Sequence, residues 1–487
     1  MHSTDWLHAR AAASPAAVAL YMDEKSWSYG ELDRLVDRLC VYLHARGVAA
    51  GDFMAMLLPA GRDAVCLVHA AARLGVVLVP LNGRLTPTEL SWQLNHTRAA
   101  WLVTTPDLDP QSENAGGRQT VFLEEKWPEQ PADPFPRRGW AAEQLQAVIF
   151  TSGTTGQPKG AMISYGSHFY SAMGSAYRLG LDPADIWLSC LPLYHVGGLA
   201  VLFRSCLYGT AVDLHPRFDI AAIQRSFTRR PITLISLVPT MLHRLLAAET
   251  VWPQSMRLIL LGGAAAPPEL LAQAREKGLP VAPTYGLTEA ASQVATMPPA
   301  AAARKPGSVG KPLLFSHVRI LDRQGKPLSA GSYGEIVVSG PTLMAGYLHN
   351  PTATAQTIQE GELRTGDIGY LDEDGDLWLV QRRSDIIISG GENVYPAEVE
   401  QVLRAHPAIA AACVVGVPDP EWGQTVAAMV VRQEEAAVTI FTLQEYCRRT
   451  LAGYKIPRII RFVPDLPQTA SGKIHRRQVA DIFRKKI

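Results

Sequence analysis

Ten consecutive residues, Thr151-Ser152-Gly153-Thr154-Thr155-Gly156-Gln157-Pro158-Lys159-Gly160, gather four hydroxyls, three glycines and a lysine in one short stretch. Hydroxyl and ammonium groups bind phosphate oxygens, and glycine lets backbone N–H groups come close to an anion. The apolar run Ala147-Val148-Ile149-Phe150 stands just before it, so the pattern reads as a strand opening into a phosphate-holding loop. The spacing departs from G-x-x-x-x-G-K-[ST]. Gly153 and Gly156 lie too close together, and Lys159 follows a proline. A polyphosphate ligand is expected, in a site unlike that of the common P-loop enzymes.

Further along, Thr284-Tyr285-Gly286-Leu287-Thr288-Glu289 offers a carboxylate for Mg²⁺ at Glu289, a hydroxyl for a phosphate at Thr288 and a ring for a base at Tyr285. Read alone, the same residues also describe a strand followed by a helix capped by Thr288. Arg364-Thr365-Gly366-Asp367 sets an aspartate at a strand end, where it can grip ribose hydroxyls or simply cap a turn. Ser389-Gly390-Gly391-Glu392-Asn393-Val394-Tyr395-Pro396 is a second glycine-rich loop, without lysine. It suits a close backbone approach or a plain turn. In Tyr194-His195-Val196-Gly197-Gly198 the glycines leave room for a ligand beside His195, although a single histidine is more often structural. Lys473, in Thr469-Ala470-Ser471-Gly472-Lys473, would by itself be a solvated surface group.

Positioning these groups takes a large framework. The chain has 487 residues, enough for at least two domains, with 47% hydrophobic and 19% charged residues, a globular balance. A net charge of +1 argues against nucleic acid or an anionic membrane as partner. The six cysteines show no C-x-x-C pair or zinc spacing and read as reduced core thiols. Neither a signal pattern nor an apolar stretch long enough to span a bilayer is evident, so a cytoplasmic protein without membrane insertion is expected. Helical spacing of Leu32, Leu35, Val36, Leu39, Cys40 and Leu43 alternates with strand runs such as Val76–Val79, Leu234–Val238 and Leu258–Leu261. That alternation predicts parallel sheets covered by helices. From about Val318 short strands with turns predict an antiparallel unit, Asp374-Gly375 forming one turn. The stretch from Asp107 to Arg138 reads as a surface excursion, Pro396 as the start of a helix, and Thr442-Leu443-Gln444-Glu445 as a capping box.

Taken in order, the loop 151–160, Tyr194–Gly198, Tyr285–Glu289, Arg364–Asp367, Arg382 and Lys473 resemble the core motifs of the adenylate-forming superfamily. That group includes acyl-CoA synthetases, luciferases and adenylation domains of peptide synthetases, and the resemblance covers nearly the whole chain. It implies an α/β fold: a large N-terminal domain (1–383) of α/β sheets plus a small antiparallel β unit, and a small mobile α/β C-terminal domain (384–487). Leu191–Leu199, Leu207-Tyr208-Gly209, His215-Pro216-Arg217-Phe218, Leu260–Pro267 and Ser384–Pro396 further resemble the subfamily that joins 2-succinylbenzoate to coenzyme A in menaquinone synthesis.

The resemblance implies two half-reactions. A carboxylate attacks the α-phosphate of ATP to give acyl-AMP and pyrophosphate, and the thiol of coenzyme A then displaces AMP. Lys473 would bridge the carboxylate and α-phosphate; a cation at about 4 Å is worth ~4 kcal/mol at an effective dielectric near 20. Glu289 would hold Mg²⁺, and Thr288 would act beside it. Thr151, Ser152, Gly153, Thr154, Thr155 and Lys159 would hold phosphates. Gly262, Gly263, Ala264, Thr284, Tyr285 and Gly286 would line the nucleotide site, and Asp367 and Arg382 would grip the ribose. His195, Gly262 and Gly286 would border the acid, with Arg204, Arg217 and His195 as candidates for its distal carboxylate. Gly390 and Gly391 would line the coenzyme A channel. Many relatives carry Asp or Lys at the hinge; this chain has Ser384, a small residue able to absorb a dihedral change. The expected partners are a small carboxylic acid, ATP and coenzyme A, and the sequence is compatible with a homo-oligomer. Rival readings are another aryl- or fatty-acyl-CoA ligase and a stand-alone adenylation module that loads a carrier protein.

Overall fold

The computed structural model describes residues 2–3, 5–111, 119–123, 135–137, 139–151, 158–381, 386–433, 437–467 and 474–484. They group into two compact units: one of Met1–Gly83, Leu94–Ile149 and Gly160–Gln381, the other of Arg84–Gln93, Phe150–Lys159 and Arg382–Ile487.

The first unit is built on two large sheets, beside a two-stranded pair of His2–Ser3 with Trp140–Ala141. One runs, in spatial order, Gly346–Tyr347, Lys159–Ser164, Leu145–Thr151, Val77–Pro80, Phe53–Leu57, Trp101–Thr104 and Gln119–Phe122. The last of these is an edge strand within the expected surface excursion. Gln119–Phe122 lies parallel against Trp101–Thr104, because Val121 and Phe122 supply the apolar residues that extend the sheet edge. Helix Tyr29–His44 starts at a capping box in which Ser28 N donates to Glu31 (2.7 Å) and Glu31 N to Ser28 Oγ (3.2 Å). It buries Leu32, Val36, Leu39, Cys40 and Leu43, the face its periodicity predicts. Arg73, on helix Arg62–Leu74, is buried among three acids. Its Nε donates to Asp5 (2.6 Å), its Nη1 to Asp37 (2.8 Å) and its Nη2 to Asp33. Burial alone would raise the Asp5 carboxyl. The Arg73 charge and hydrogen bond, with the His8 backbone N–H, outweigh it and hold Asp5 below its ordinary value.

The other sheet begins as a parallel run: Val18–Met22, Ala211–Leu214, Ile186–Ser189, Leu234–Leu237, Leu258–Leu261 and Val281–Leu287. Leu234–Leu237 and Leu258–Leu261 are buried at every position, as strands covered on both faces must be. The path continues antiparallel through Ser292–Thr296, Ser308–Pro312, Leu377–Gln381, Glu362–Leu371, Gly334–Ser339 and His317–Leu321, so the antiparallel part starts earlier than the expected Val318. Its Leu371–Leu377 turn uses Gly375 at φ +81°. There Asp372, Asp374 and Asp376 converge on Lys305 Nζ at 2.7, 2.7 and 2.6 Å, and Trp378 Nε1 donates to Asp372 (3.0 Å).

In the second unit, Glu392–Val394, Ile387–Ser389, Gly423–Arg432 and Ile409–Asp419 form an antiparallel sheet, with Ile459–Phe462 parallel to Gly423–Arg432. Its alternating residues serve two cores. Val414, Ala428 and Val430 pack with Val399 and Leu403 of helix Pro396–Ala405 and with Leu443 and Cys447 of helix Ile440–Arg448. Cys413, Val415 and Met429 pack with Val479 and Phe483 of helix Arg476–Arg484. Pro396 is at the first helical turn, as expected. The capping box sits three residues earlier than predicted, at Thr439 with Thr442, because Ile440 already belongs to the helix. All six cysteines are buried. No described helix is long and apolar enough to cross a membrane.

Candidate active site

In an open α/β sheet, ligands meet the loops that leave the carboxyl ends of parallel strands. Ile186–Ser189, Leu234–Leu237, Leu258–Leu261 and Val281–Leu287 are consecutive parallel neighbours, so the segments that follow them share one edge. Those segments carry His195, Val238, Gly262 to Ala264, and Thr288 with Glu289, while Tyr285 and Gly286 end the last strand itself. Topology thus gathers predicted residues from three of these segments, with Val238 from the fourth.

His195 is the N-cap of helix Val196–Tyr208. The glycines after it were expected to make room for a ligand. Gly198 instead serves the chain itself: a Cβ there would lie 2.3 Å from the Pro192 carbonyl oxygen. Close approach also explains the next loop. A Cβ on Gly262 would meet Thr284 Cγ2 at 2.6 Å, and one on Gly263 (φ +80°) would meet Val238 Cγ1 at 3.0 Å. Gly262 therefore lies beside Thr284, and Gly263 beside Val238. Val238 was not anticipated, since only the packing of neighbouring strands brings it there.

Tyr285, Gly286, Thr288 and Glu289 lie on a hairpin, Val281–Leu287 pairing antiparallel with Ser292–Thr296. A 3₁₀ turn, Thr288–Ala290, replaces the helix start allowed by the local sequence. The turn ends in two non-glycine residues at positive φ, Ala291 (+50°) and Ser292 (+100°), and such strain collects at functional sites. Gly286 is dictated by this geometry, because a Cβ would lie 1.8 Å from the Ser292 carbonyl oxygen. The Thr284 hydroxyl lies 2.7 Å from the Thr296 hydroxyl, which also accepts from Gln293 Nε2 (2.9 Å).

The buried Tyr285 donates its hydroxyl to Asp367 Oδ2 at 2.7 Å, so the aspartate expected at the ribose is tied to the predicted base-side residue. The Arg364–Asp367 segment is braced by Glu335, which accepts from Arg364 Nε (3.0 Å) and Gly366 N (3.0 Å). Glu335 carries no motif and was invisible in the sequence. Glu289 is half-buried and accepts from the Tyr347 hydroxyl at 2.8 Å through Oε1. One carboxylate oxygen held by a neutral donor leaves a hard oxygen ligand available, and Mg²⁺ uses one or two carboxylates together with substrate phosphates. The donor set fits that ion.

Elsewhere, Thr151 and Lys159 close the ends of the first loop, Thr151 Oγ1 donating to Lys159 O at 3.4 Å. Ser152, Gly153, Thr154, Thr155, Arg382, Ser384 and Lys473 lie outside the described residues. In the second unit Gly390 (φ +60°) and Gly391 (φ +86°) form a two-residue hairpin turn between Ser389 and Glu392. A Cβ on Gly390 would strike Trp422 at 2.7 Å. Of the candidates for a distal carboxylate, Arg204 is buried and donates to Ser171 Oγ (3.2 Å). Burial pushes its guanidinium pKa down. Arg217 is exposed, in a cleft with His215, Arg225, Arg229 and Arg230.

The fold and this edge of the sheet define an enzyme that activates a carboxylate with ATP, and the chain belongs to the AMP-binding enzyme family. The family's main domain matches residues 7–348, and the AMP-binding enzyme C-terminal domain matches 398–473. A 2-succinylbenzoate–CoA ligase of Bacillus cereus (strain Q1) is 41% identical over 481 residues, 98% of each chain. The o-succinylbenzoate CoA synthetase of Bacillus subtilis is similar in several solved states. A double mutant bound to the product analogue OSB-NCoA shares 39% identity at a TM-score of 0.94, covering 99% of both chains. The complex with the acyl-adenylate intermediate OSB-AMP shares 40% at 0.77 over 98% of both. The complex with ATP and magnesium shares 39% at 0.75, over 98% of this chain and 99% of that one.

Proposed function

We propose that this chain joins 2-succinylbenzoate to coenzyme A through an acyl-adenylate, consuming ATP and releasing AMP and pyrophosphate, as a step of menaquinone biosynthesis. The observation that carries the reading is end-to-end similarity, at about 40% identity, to ligases of this acid, including one solved with the acyl-adenylate. ATP and coenzyme A are the co-substrates, and Mg²⁺, when bound, neutralises phosphate charge.

The residues divide the work as follows. Glu289 would hold the cation with Thr288 beside it. The 151–160 loop, with Thr151, Ser152, Gly153, Thr154, Thr155 and Lys159, would grip the departing pyrophosphate. Gly262, Gly263, Ala264, Thr284, Tyr285 and Gly286 would line the nucleotide, while Asp367 and Arg382 would hold the ribose. Tyr285 supports this by fixing the Asp367 carboxylate through a 2.7 Å bond. His195, Gly262 and Gly286 would border the acid. Lys473 would neutralise the charge that builds between the carboxylate and the α-phosphate. Residues 1–383 would form the adenylating domain. Residues 384–487 would form the smaller domain, which swings at Ser384 and presents Gly390 and Gly391 to the pantetheine arm. The reading places the reaction in the cytoplasm, where ATP and coenzyme A are available.

Pyrophosphate exchange over a panel of acids, followed by coenzyme A acceptance, tests the substrate. Exchange with benzoic or fatty acids but none with 2-succinylbenzoate would overturn it. Lys473→Ala should abolish acyl-AMP formation yet pass supplied acyl-AMP on to coenzyme A. Equal loss in both half-reactions would remove Lys473 from its role.

A further inference from the structure

Tyr347 stands 58 residues from Glu289 in sequence, yet its phenol donates to Glu289 Oε1 at 2.8 Å. Several contacts fix where that phenol can be. Gly346–Tyr347 pairs antiparallel with the strand that leaves the phosphate loop, Ala161 opposite Tyr347 and Met162 opposite Gly346. Ala345 N donates to Met162 O and Leu348 N to Gly160 O, both at 2.8 Å. Tyr347 N donates to Thr354 Oγ1 (2.9 Å), and the side chain is 4% exposed. Gly346 permits this crowding: it sits at φ +138°, and a Cβ would lie 2.8 Å from Thr354 Cγ2. The same segment holds the Glu289 backbone, because Met344 N donates to Glu289 O at 2.9 Å.

We infer that Tyr347 is a positioning residue: its phenol engages Oε1 of Glu289 and so turns Oε2 toward the cation that Glu289 would hold. The inference rests on the metal role proposed for Glu289. A phenol suits the task because it donates one neutral hydrogen bond. It orients an ionised carboxylate without adding a charge that would compete with the metal. The tether is anchored on Lys159–Ser164, the strand that pairs with Gly346–Tyr347. Partners of this kind typically change metal affinity by about 10–100-fold when removed.

The test is Mn²⁺ binding, followed by the free-ion EPR signal, to full-length enzyme holding an ATP analogue with a methylene α,β-bridge. Tyr347→Phe keeps the ring and should weaken Mn²⁺ binding by about 10-fold or more. Glu289→Gln should weaken it as well, and the double variant should bind no worse than Glu289→Gln alone. Thr354→Val, which leaves the phenol in place but frees its backbone, should give a smaller loss in the same direction. Wild-type Mn²⁺ affinity in both Tyr347→Phe and Thr354→Val, with Glu289→Gln impaired, overturns the positioning role and leaves the Glu289 reading standing. Wild-type affinity in Glu289→Gln overturns that reading itself. Additive losses in the double variant would show that Tyr347 does not act through Glu289.

Discussion

Replacing Gly286 by alanine puts a methyl group where the chain has no space. The added Cβ would lie 1.8 Å from the Ser292 carbonyl oxygen, 2.7 Å from its carbon and 3.0 Å from Gln293 Cα. These are backbone atoms, so no side chain can swing aside. To restore even a 3.0 Å separation, the two strands must part by about 1.2 Å. The displaced stretch is the hairpin Val281–Leu287 with Ser292–Thr296, whose connecting turn carries Thr288 and Glu289. A misplacement of about 1 Å at a reacting centre can cost about 100-fold in rate, equivalent to about 2.7 kcal/mol. The adenylation kcat in ATP–pyrophosphate exchange should therefore fall by about two orders of magnitude. Far-UV circular dichroism should remain native, and the melting transition should stay cooperative although lowered. Gly61→Ala, whose Cβ would meet only Met22 Cε at 3.6 Å and Met22 Sδ and Pro59 O at 3.9 Å, provides the remote control and should leave exchange unchanged. Exchange by Gly286→Ala within about threefold of the parent would mean that the hairpin absorbs the methyl without moving Glu289.

Two further outcomes follow from the buried arginine. Arg73→Met leaves Asp5, Asp33 and Asp37 facing one another without their shared cation. It should lower unfolding stability by about 3–5 kcal/mol, read from urea denaturation, and a loss under 1 kcal/mol would show that the acids find other compensation. Because the Asp5 pKa is lower in the fold than its ordinary 3.8, the stability it adds is complete above that value. This stability is lost as pH falls through the folded pKa. Urea midpoints should therefore drop below about pH 4, and the part of that drop due to Asp5 should vanish in Asp5→Asn.

Much of the framework could be read from residue patterns, because burial on both faces forces continuous apolar runs such as Leu258–Leu261 and one-sided burial forces the spacing of Leu32, Val36 and Leu39. The site was legible as far as its residues cluster in sequence. Groups that act through space were not. Tyr347 reaches Glu289 only because a two-residue strand joins the sheet edge, and Glu335 braces Arg364 and Gly366 from a neighbouring strand. Glycines misled in one case. Gly198 reads as space for a ligand, yet a carbonyl already occupies the place beside it. The stretch after Asp107 hid a strand because Gln119–Phe122 is short and gains its partner from Trp101–Thr104. The cap of helix Ile440–Arg448 was placed late because Thr439 and Thr442 can both start a helix, and only the hydrogen bonds choose between them.

The turn at Asp372, Asp374 and Asp376 would on charge alone attract a divalent ion, but Lys305 holds all three carboxylates within 2.7 Å. The fold thus carries its own counter-ion, attached through the chain and impossible to extract. A chelator that strips the solution of divalent cations leaves this turn intact. Withdrawal of magnesium should therefore slow the chemistry without altering the architecture of the antiparallel sheet.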